Sequence, residues 1–97
     1  MDKIEFELNE RGRGAFYVMD GEKRIGEMLL SISGKDMSVY HTEVVPKAEG
    51  KGLAKQMMNE MVAYARKNNL KVITLCPYVN AQFTRHAEEY ADVWKKD

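Results

Sequence analysis

Hydrophobic and polar residues alternate along the first part of the chain in the manner of half-buried strands. The apolar residues within positions 4–8 alternate with charged ones, and a segment rich in arginine and glycine at 11–14 ends the pattern. A short aromatic and β-branched run at 15–19 is followed by Asp20-Gly21, a dipeptide favoured in two-residue hairpin turns. These patterns predict a first strand at 4–8, a second at 15–19, and a hairpin that leads into a third.

Two further apolar runs predict the third and fourth strands. Residues 24–33 form the first run, in which Gly26 marks a β-bulge, and a turn signal follows at 33–36. The second run, 37–45, predicts a fourth strand, which ends at Pro46 because proline has no N–H to donate. The first half of the chain is therefore expected to form an antiparallel meander.

Beyond the fourth strand the hydrophobic period changes from two to nearly four. Apolar residues such as Leu53 and Met57 recur at helical spacing between 51 and 67, so we expect a helix that packs one face on the sheet. Asn68-Asn69 suits the end of this helix, because asparagine tolerates the left-handed conformation. The β-rich run 71–75 then predicts a buried fifth strand.

The fourth strand, the helix and the fifth strand form a unit that is normally parallel and right-handed. The carboxyl ends of both strands then meet at one edge of the sheet, which brings residues 46–52 near Cys76-Pro77, and ligands bind at such edges. Helical spacing predicts a second helix at 79–89, and the charged residues 95–97 are expected to fray. We therefore expect one α+β domain over residues 1–97, with a mainly antiparallel sheet of about five strands, a parallel pairing of the fourth and fifth, and two main helices.

Charge and cysteine content narrow the possible partners and location. The 97 residues carry 15 lysines plus arginines and 15 aspartates plus glutamates, so nucleic acid and anionic membranes are not expected as partners unless charge is strongly segregated. The chain is charged from its second residue and has no apolar run of membrane-spanning length, which argues against a signal peptide or an anchor. The single cysteine, Cys76, cannot form an internal disulfide, so we expect a reducing cytoplasm.

A Gly50-x-Gly52 turn between the fourth strand and the first helix predicts a phosphate-binding loop. The two glycines let the backbone turn tightly and approach a ligand closely. The helix start beyond them presents unpaired N–H groups and a partial positive charge. Both features suit a pyrophosphate, and they favour a nucleotide-bearing cofactor such as coenzyme A.

The order of these elements and their motifs resembles the GNAT acetyltransferase superfamily. The segment Val44-Val45-Pro46-Lys-Ala-Glu-Gly50-Lys-Gly52-Leu-Ala54 is similar to its acetyl-CoA motif, with Lys47 where that motif has arginine or glutamine. Several other stretches resemble the short, single-domain branch typified by N-acetyltransferase-domain-containing protein 1; these are His41-Thr-Glu-Val, Cys76-Pro-Tyr-Val79, Arg85-His86, Tyr90 and Asp92. The resemblance covers nearly the whole chain.

The resemblance implies acetyl-CoA as cofactor and transfer of an acetyl group to an amine of a small molecule or a protein. The pantetheine arm would pair with the end of the fourth strand, and N–H groups between Lys47 and Ala54 would hold the pyrophosphate, with Lys51 adding positive charge. The cofactor-binding residues implied in this way are Glu43, Val44, Val45, Lys47, Gly50, Lys51, Gly52, Leu53 and Ala54.

Three residues are candidates for the chemistry. Cys76 is either a nucleophile that carries the acetyl group or a small buried residue. His41 is a candidate base because its ordinary pKa is near neutrality, and Glu43 is the alternative. Two histidines and one cysteine at scattered spacings do not form a zinc pattern, so no metal is expected. The competing interpretation is a noncatalytic acyl-CoA-binding module, which keeps the glycine loop and uses none of these three groups as a reactant.

Overall fold

The computed structural model describes residues 3–96 and contains one five-stranded sheet. Its strands are β1 (Ile4–Leu8), β2 (Arg13–Asp20), β3 (Lys23–Ser33), β4 (Asp36–Val44) and β5 (Lys71–Thr74), and their order in the sheet follows the chain. The first four pair antiparallel, and β5 pairs parallel to β4. The predicted α+β architecture is confirmed. Met1, Asp2 and Asp97 lie outside the described residues. The parts of the signal-peptide and fraying predictions that concern these residues therefore lie outside them too.

Three helices and a short 3-10 turn complete the described part of the chain. The turn spans Pro46–Ala48, and it is followed by α1 (Leu53–Lys67), α2 (Pro77–Arg85) and α3 (Ala87–Tyr90). Helix α1 begins two residues later than predicted because Gly52 has a left-handed backbone that cannot continue into helix. No helix in the described part of the chain combines the length and apolarity needed to cross a lipid bilayer.

The methionines on one side of α1 form the centre of the core. Met57, Met58 and Met61 are fully buried, as their helical spacing requires. Burying a methionine side chain contributes about 1.5–3 kcal/mol to stability. Phe83 of α2 belongs to the same cluster, so α1 and α2 cover one face of the sheet. Gly26 lets α1 approach closely, because a Cβ there would lie 3.3 Å from the Met57 methyl carbon.

The segment after α2 differs from the prediction. A single helix was expected at 79–89, but α2 ends at Arg85, and Trp94 forms a parallel bridge with Val72 of β5. The indole ring packs edge-on against Phe83, with ring centroids 5.6 Å apart. The prediction that residues 95–97 fray is wrong for Lys95, whose N–H donates a hydrogen bond to the Val72 carbonyl. The packing of Trp94 on Phe83 therefore orders the start of the tail, although its charged residues predicted fraying.

Two irregularities shape the upper part of the sheet, where β3 begins and β4 ends. Ile25 is the extra residue in the pairing of β3 with β2, next to the predicted bulge at Gly26. Tyr40 is the extra residue in the pairing of β4 with β3. The parallel pairing of β4 with β5 ends at Val39, one residue before this second bulge. Among the described residues, the remainder of β4 therefore has no strand partner on its β5 side.

Candidate active site

The glycine loop sits at the start of α1, where the sequence placed it. Gly50 has φ +86° and Gly52 has φ +75°, both in the left-handed region that side chains disfavour. A Cβ at either position would meet no atom within 4 Å. Backbone conformation, rather than crowding within the protein, therefore requires glycine, and the open space leaves room for a ligand beside the main chain.

The backbone of this loop offers a set of unpaired hydrogen-bond donors. Ala48 and Glu49 use their N–H groups within the 3-10 turn, as donors to the carbonyls of Val45 and Pro46. No side chain caps α1, and within residues 3–96 the N–H groups of residues 50–55 donate no hydrogen bond. Such a helix start favours an anion through its donors and its dipole. The donor set fits a pyrophosphate.

A cavity of about 330 Å³ adjoins the loop. Its size lies at the lower end of the range for small-molecule sites. The strand β4 contributes Thr42 and Val44, and α2 contributes Tyr78. The loop and the start of α1 complete the lining with Ala48, Glu49, Gly50, Gly52, Leu53 and Ala54. The cavity therefore lies at the carboxyl end of β4, beside the first turns of both α1 and α2.

Cys76 lies under this cavity and packs into the core. Its side chain is 1% exposed, and its Sγ lies 3.2 Å from the Oγ1 of Thr42. The Cys76 N–H donates to the Val39 carbonyl, which anchors the chain as it leaves β5. Pro77 follows as the first residue of α2, a position that proline favours. The environment of the thiol is that of a buried packing residue.

Tyr78 is a functional candidate that the sequence reasoning missed. It is half-buried on the first turn of α2, and burial raises the pKa of its phenol above the ordinary value of 10.0, with a further contribution from Cys76. The phenol therefore stays protonated at neutral pH and can donate a proton into the cavity. The signal was present in the Cys76-Pro-Tyr motif, because Tyr78 follows Cys76 by two residues at the start of α2 and therefore lies near the same edge of the sheet.

His41 and Glu43 lie together, on the side of β4 that is opposite to Thr42. The Nε2 of His41 is 3.4 Å from the Oε1 of Glu43, and both side chains are more than half exposed. Their neighbour Thr42 faces Cys76, since successive side chains of a strand alternate between faces. The structure thus brings the two candidate bases together and separates them from the candidate nucleophile.

The predicted cofactor residues divide between three cavities. Val44, Gly50, Gly52, Leu53 and Ala54 line the cavity described above. Lys47, Lys51 and Val45 line a larger one of about 730 Å³, which also involves Lys23 and Arg24 of the hairpin between β2 and β3. Glu43 lines a third of about 220 Å³. The glycine-loop cavity is lined by four residues whose N–H groups are unpaired among the described residues, Gly50, Gly52, Leu53 and Ala54, so it is the candidate pyrophosphate site.

Comparisons with known proteins agree on a family. A family model described as GCN5-related N-acetyl-transferase matches residues 15–93. The solution structure of a GCN5-like protein from Staphylococcus aureus has a TM-score of 0.72 and 26% identity, and the match covers 96% of this chain and 89% of that one. No curated protein sequence matches.

Two more distant structures show the same fold. A ribosomal-protein-alanine N-acetyltransferase from Brucella melitensis has a TM-score of 0.62 and 17% identity, with 92% of this chain and 68% of that chain covered. The ribosomal-protein-S18-alanine N-acetyltransferase from Escherichia coli has a TM-score of 0.59 and 14% identity, with 67% and 42% covered. At these identities the likeness concerns the fold alone.

Proposed function

Because this chain belongs to the GCN5-related N-acetyltransferase family, whose members use acetyl-CoA as acyl donor, we propose that it acetylates a primary amine of a small molecule or protein. The observation that carries the proposal is the open loop at Gly50 and Gly52 with its unpaired N–H groups. We further propose one domain over residues 1–97, similar to the short branch typified by N-acetyltransferase-domain-containing protein 1. The single cysteine supports a reducing cytoplasm as its location.

The cofactor would be held by backbone groups. The N–H groups of the loop, together with the dipole of α1, would bind the pyrophosphate of acetyl-CoA. The end of β4, from Glu43 to Val45, would pair with the pantetheine arm. This role is supported by the absence, among the described residues, of a strand partner on the β5 side of β4 beyond Val39. Lys47 and Lys51 would add positive charge from the neighbouring cavity.

Direct transfer is the route that the geometry favours. The neutral amine attacks the thioester carbonyl, an N–C bond forms, the C–S bond breaks, and coenzyme A leaves as a thiolate. Tyr78 would supply the proton that the thiolate takes up, since its raised pKa keeps it protonated. His41 or Glu43 would remove the proton that the acceptor ammonium loses before attack, and the second proton that the nitrogen releases as the amide forms would return to the Tyr78 phenolate through solvent. The burial of Cys76 supports a packing role over a covalent intermediate.

Calorimetry and an acetyl-transfer assay test the proposal together. We expect acetyl-CoA to bind, and Gly50→Asp and Gly52→Asp to abolish that binding because each puts a carboxylate beside the pyrophosphate. We also expect turnover with at least one member of a panel of primary amines. Unchanged coenzyme A affinity in both glycine variants would refute the loop assignment.

A noncatalytic acyl-CoA-binding module is the second candidate. The burial of Cys76 and the separation of His41 and Glu43 from the glycine-loop cavity favour it. Binding of acetyl-CoA without hydrolysis, without acetylation of Cys76 and without transfer to any amine would select this function over the enzyme.

A further inference from the structure

One face of the sheet carries no helix in the described part of the chain, and we call it the open face. Phe6 packs against Tyr64 of α1 with ring centroids 4.7 Å apart, so the alternate residues of β1 point to the other side. A first row of register partners crosses this open face from β1 to β4, and it consists of Glu5, Tyr17, Glu27 and Glu43. A second row lies beside it and contains Glu7, Leu29 and His41.

The two rows are acidic although the whole chain is neutral. They contain four carboxylates, and Arg24 is the guanidinium that reaches them. It lies 3.2 Å from Glu7, 3.3 Å from Glu27 and 4.0 Å above the ring of Tyr17. Arg13 lies beyond these rows, opposite Ser31. Charge is therefore segregated, and an excess of negative charge remains on the part of the open face that adjoins the end of β4.

One register pairing within the first row places two like charges opposite each other. Glu27 and Glu43 are direct register partners on adjacent antiparallel strands, an arrangement that is destabilising for like charges. Arg24 compensates Glu27, and His41 lies beside Glu43 at 3.4 Å. A cationic group bound over this pair would relieve the repulsion between the two carboxylates. The pair would therefore favour the bound state over the free protein.

Exposed apolar side chains lie within the second row and beside it. Leu29 is 37% exposed and Tyr40 is 48% exposed. The hydroxyl of Tyr40 is 2.7 Å from the Oγ of Ser31, which holds the ring across β3. A surface that combines carboxylates with aliphatic and aromatic groups matches lysine side chains, which have a long apolar stem and a charged end.

We propose that the open face docks the acceptor as an extended, lysine-rich polypeptide segment, with one lysine at the His41–Glu43 pair. This docking rests on the proposed acetyl transfer, since that pair contains the candidate bases. The first row spans about 14 Å across four strands, which about five extended residues can cover. A second copy of the chain is disfavoured as occupant, because a symmetric contact would oppose two acidic rows.

Isotope-labelled protein and a defined peptide test the docking. The probe is a ten-residue peptide that alternates lysine and valine, with the same peptide carrying glutamate for lysine as the charge control and spermine as a small polyamine. We expect amide shifts to concentrate at Tyr17, Leu29 and Tyr40, and affinity to fall as salt rises. The acidic peptide should not bind.

Two double variants with equal net charge isolate the open face. Glu5→Gln with Glu27→Gln should weaken peptide binding about tenfold. Glu60→Gln with Glu88→Gln, which neutralises exposed carboxylates on α1 and α3, should leave it unchanged. Both should bind acetyl-CoA as the native protein does. The amide shifts that the peptide causes in the native protein locate the docking surface even where a variant folds poorly.

Several outcomes would overturn the docking. These are shifts that concentrate on the helices, equal losses in both double variants, spermine binding as tightly as the peptide, or dilution-dependent shifts of open-face residues that reveal a second copy. The proposed function is tested separately. Peptide docking without acetyl-CoA binding would refute the proposed enzyme and support the docking surface. Transfer to a small amine, with a peptide KM that the Glu5 and Glu27 changes do not alter, would support the enzyme and refute the docking surface.

Discussion

Two strand-to-helix junctions lie side by side in this protein, and they present different surfaces to a ligand. The first runs from β4 through Gly50 and Gly52 into α1, with both glycines in the left-handed region and space around them. The second runs from β5 through Cys76 and Pro77 into α2, where the cysteine is 1% exposed. Proline has no N–H to offer, whereas the glycine loop leaves a series of N–H groups unpaired.

The difference shows that the loop before a helix decides how many N–H groups the helix start can offer to an anion. Both helices have a dipole and neither has a side-chain cap. The residues of the first junction line a cavity, and the second junction places Cys76 and Val79 in the core. The second junction contributes a side chain instead, the phenol of Tyr78. In the proposed mechanism, cofactor binding and proton supply are thus divided between the two junctions.

The largest expected effect comes from a charge placed in the first junction. Gly52→Asp should weaken acetyl-CoA binding by at least about 100-fold, or about 2.7 kcal/mol, because it adds a carboxylate and a strained left-handed residue beside the pyrophosphate. Calorimetry measures the affinity. The matched control is Gly34→Asp, because Gly34 has φ +60° and equally open surroundings in a hairpin turn. A comparable loss of affinity in the control would contradict the assignment.

The next largest effect is expected at the second junction. Tyr78→Phe should lower kcat about 100-fold through loss of the proton donor, with the KM for acetyl-CoA little changed. Because the pKa of Tyr78 is raised above 10.0, the loss should persist at every pH from neutrality up to that value. Steady-state kinetics across this range check the result. Tyr64→Phe, a similar change on α1, should have normal kcat.

A smaller effect, on stability rather than chemistry, is expected for the buried thiol. Cys76→Ala should lower the free energy of unfolding by about 1 kcal/mol, because it removes a core sulfur that contacts Thr42. Transfer activity should be retained. Urea unfolding measures the stability, and intact mass after incubation with acetyl-CoA should show no acetyl group on Cys76. An acetylated Cys76, together with an inactive alanine variant, would establish the covalent route instead.

The smallest effect is expected for the segment after α3, which Asp92 joins to α1 through Arg66. Arg66 donates a hydrogen bond of 2.9 Å to Asp92, and this bond holds the pKa of Asp92 below its ordinary value of 3.8. A lowered folded-state pKa means that the stabilisation is complete above about pH 3.8 and is lost as the pH falls toward the folded value. Asp92→Asn should therefore be less stable than the native protein at pH 7, and the difference should narrow below pH 3.8. Urea unfolding at several pH values tests this, and a difference that stays constant into strong acid would contradict it.

Local pattern was sufficient for most of the fold. Alternation located the four antiparallel strands to within two residues, and the spacing of Leu53, Met57 and Met61 gave the buried side of α1. The break at 79–89 could not be predicted, because Trp94 pairs with Val72 across 22 positions of sequence and packs on Phe83. Contacts between residues so far apart leave no periodic trace in the local sequence.

The candidate site was predictable in its backbone and less so in its side chains. The position of Gly50 and Gly52 at a helix start followed from sequence order. Alternation alone placed His41 and Glu43 on one face, but the contact of Thr42 with Cys76 determined that this is the face away from the thiol. The proposed role of Tyr78 depends on burial, which the sequence does not report for a residue at a helix start.

By itself the sequence determined the order of the strands and helices and the loop that suits a pyrophosphate, because periodicity, glycine and proline act over a few neighbouring residues. Only the tertiary structure decided which donors stay unpaired, which side of β4 faces the cavity, and that Cys76 is buried while Glu27 and Glu43 face each other on an uncovered sheet. Those properties depend on strand register and on which face the helices cover, and both arise from packing between distant parts of the chain.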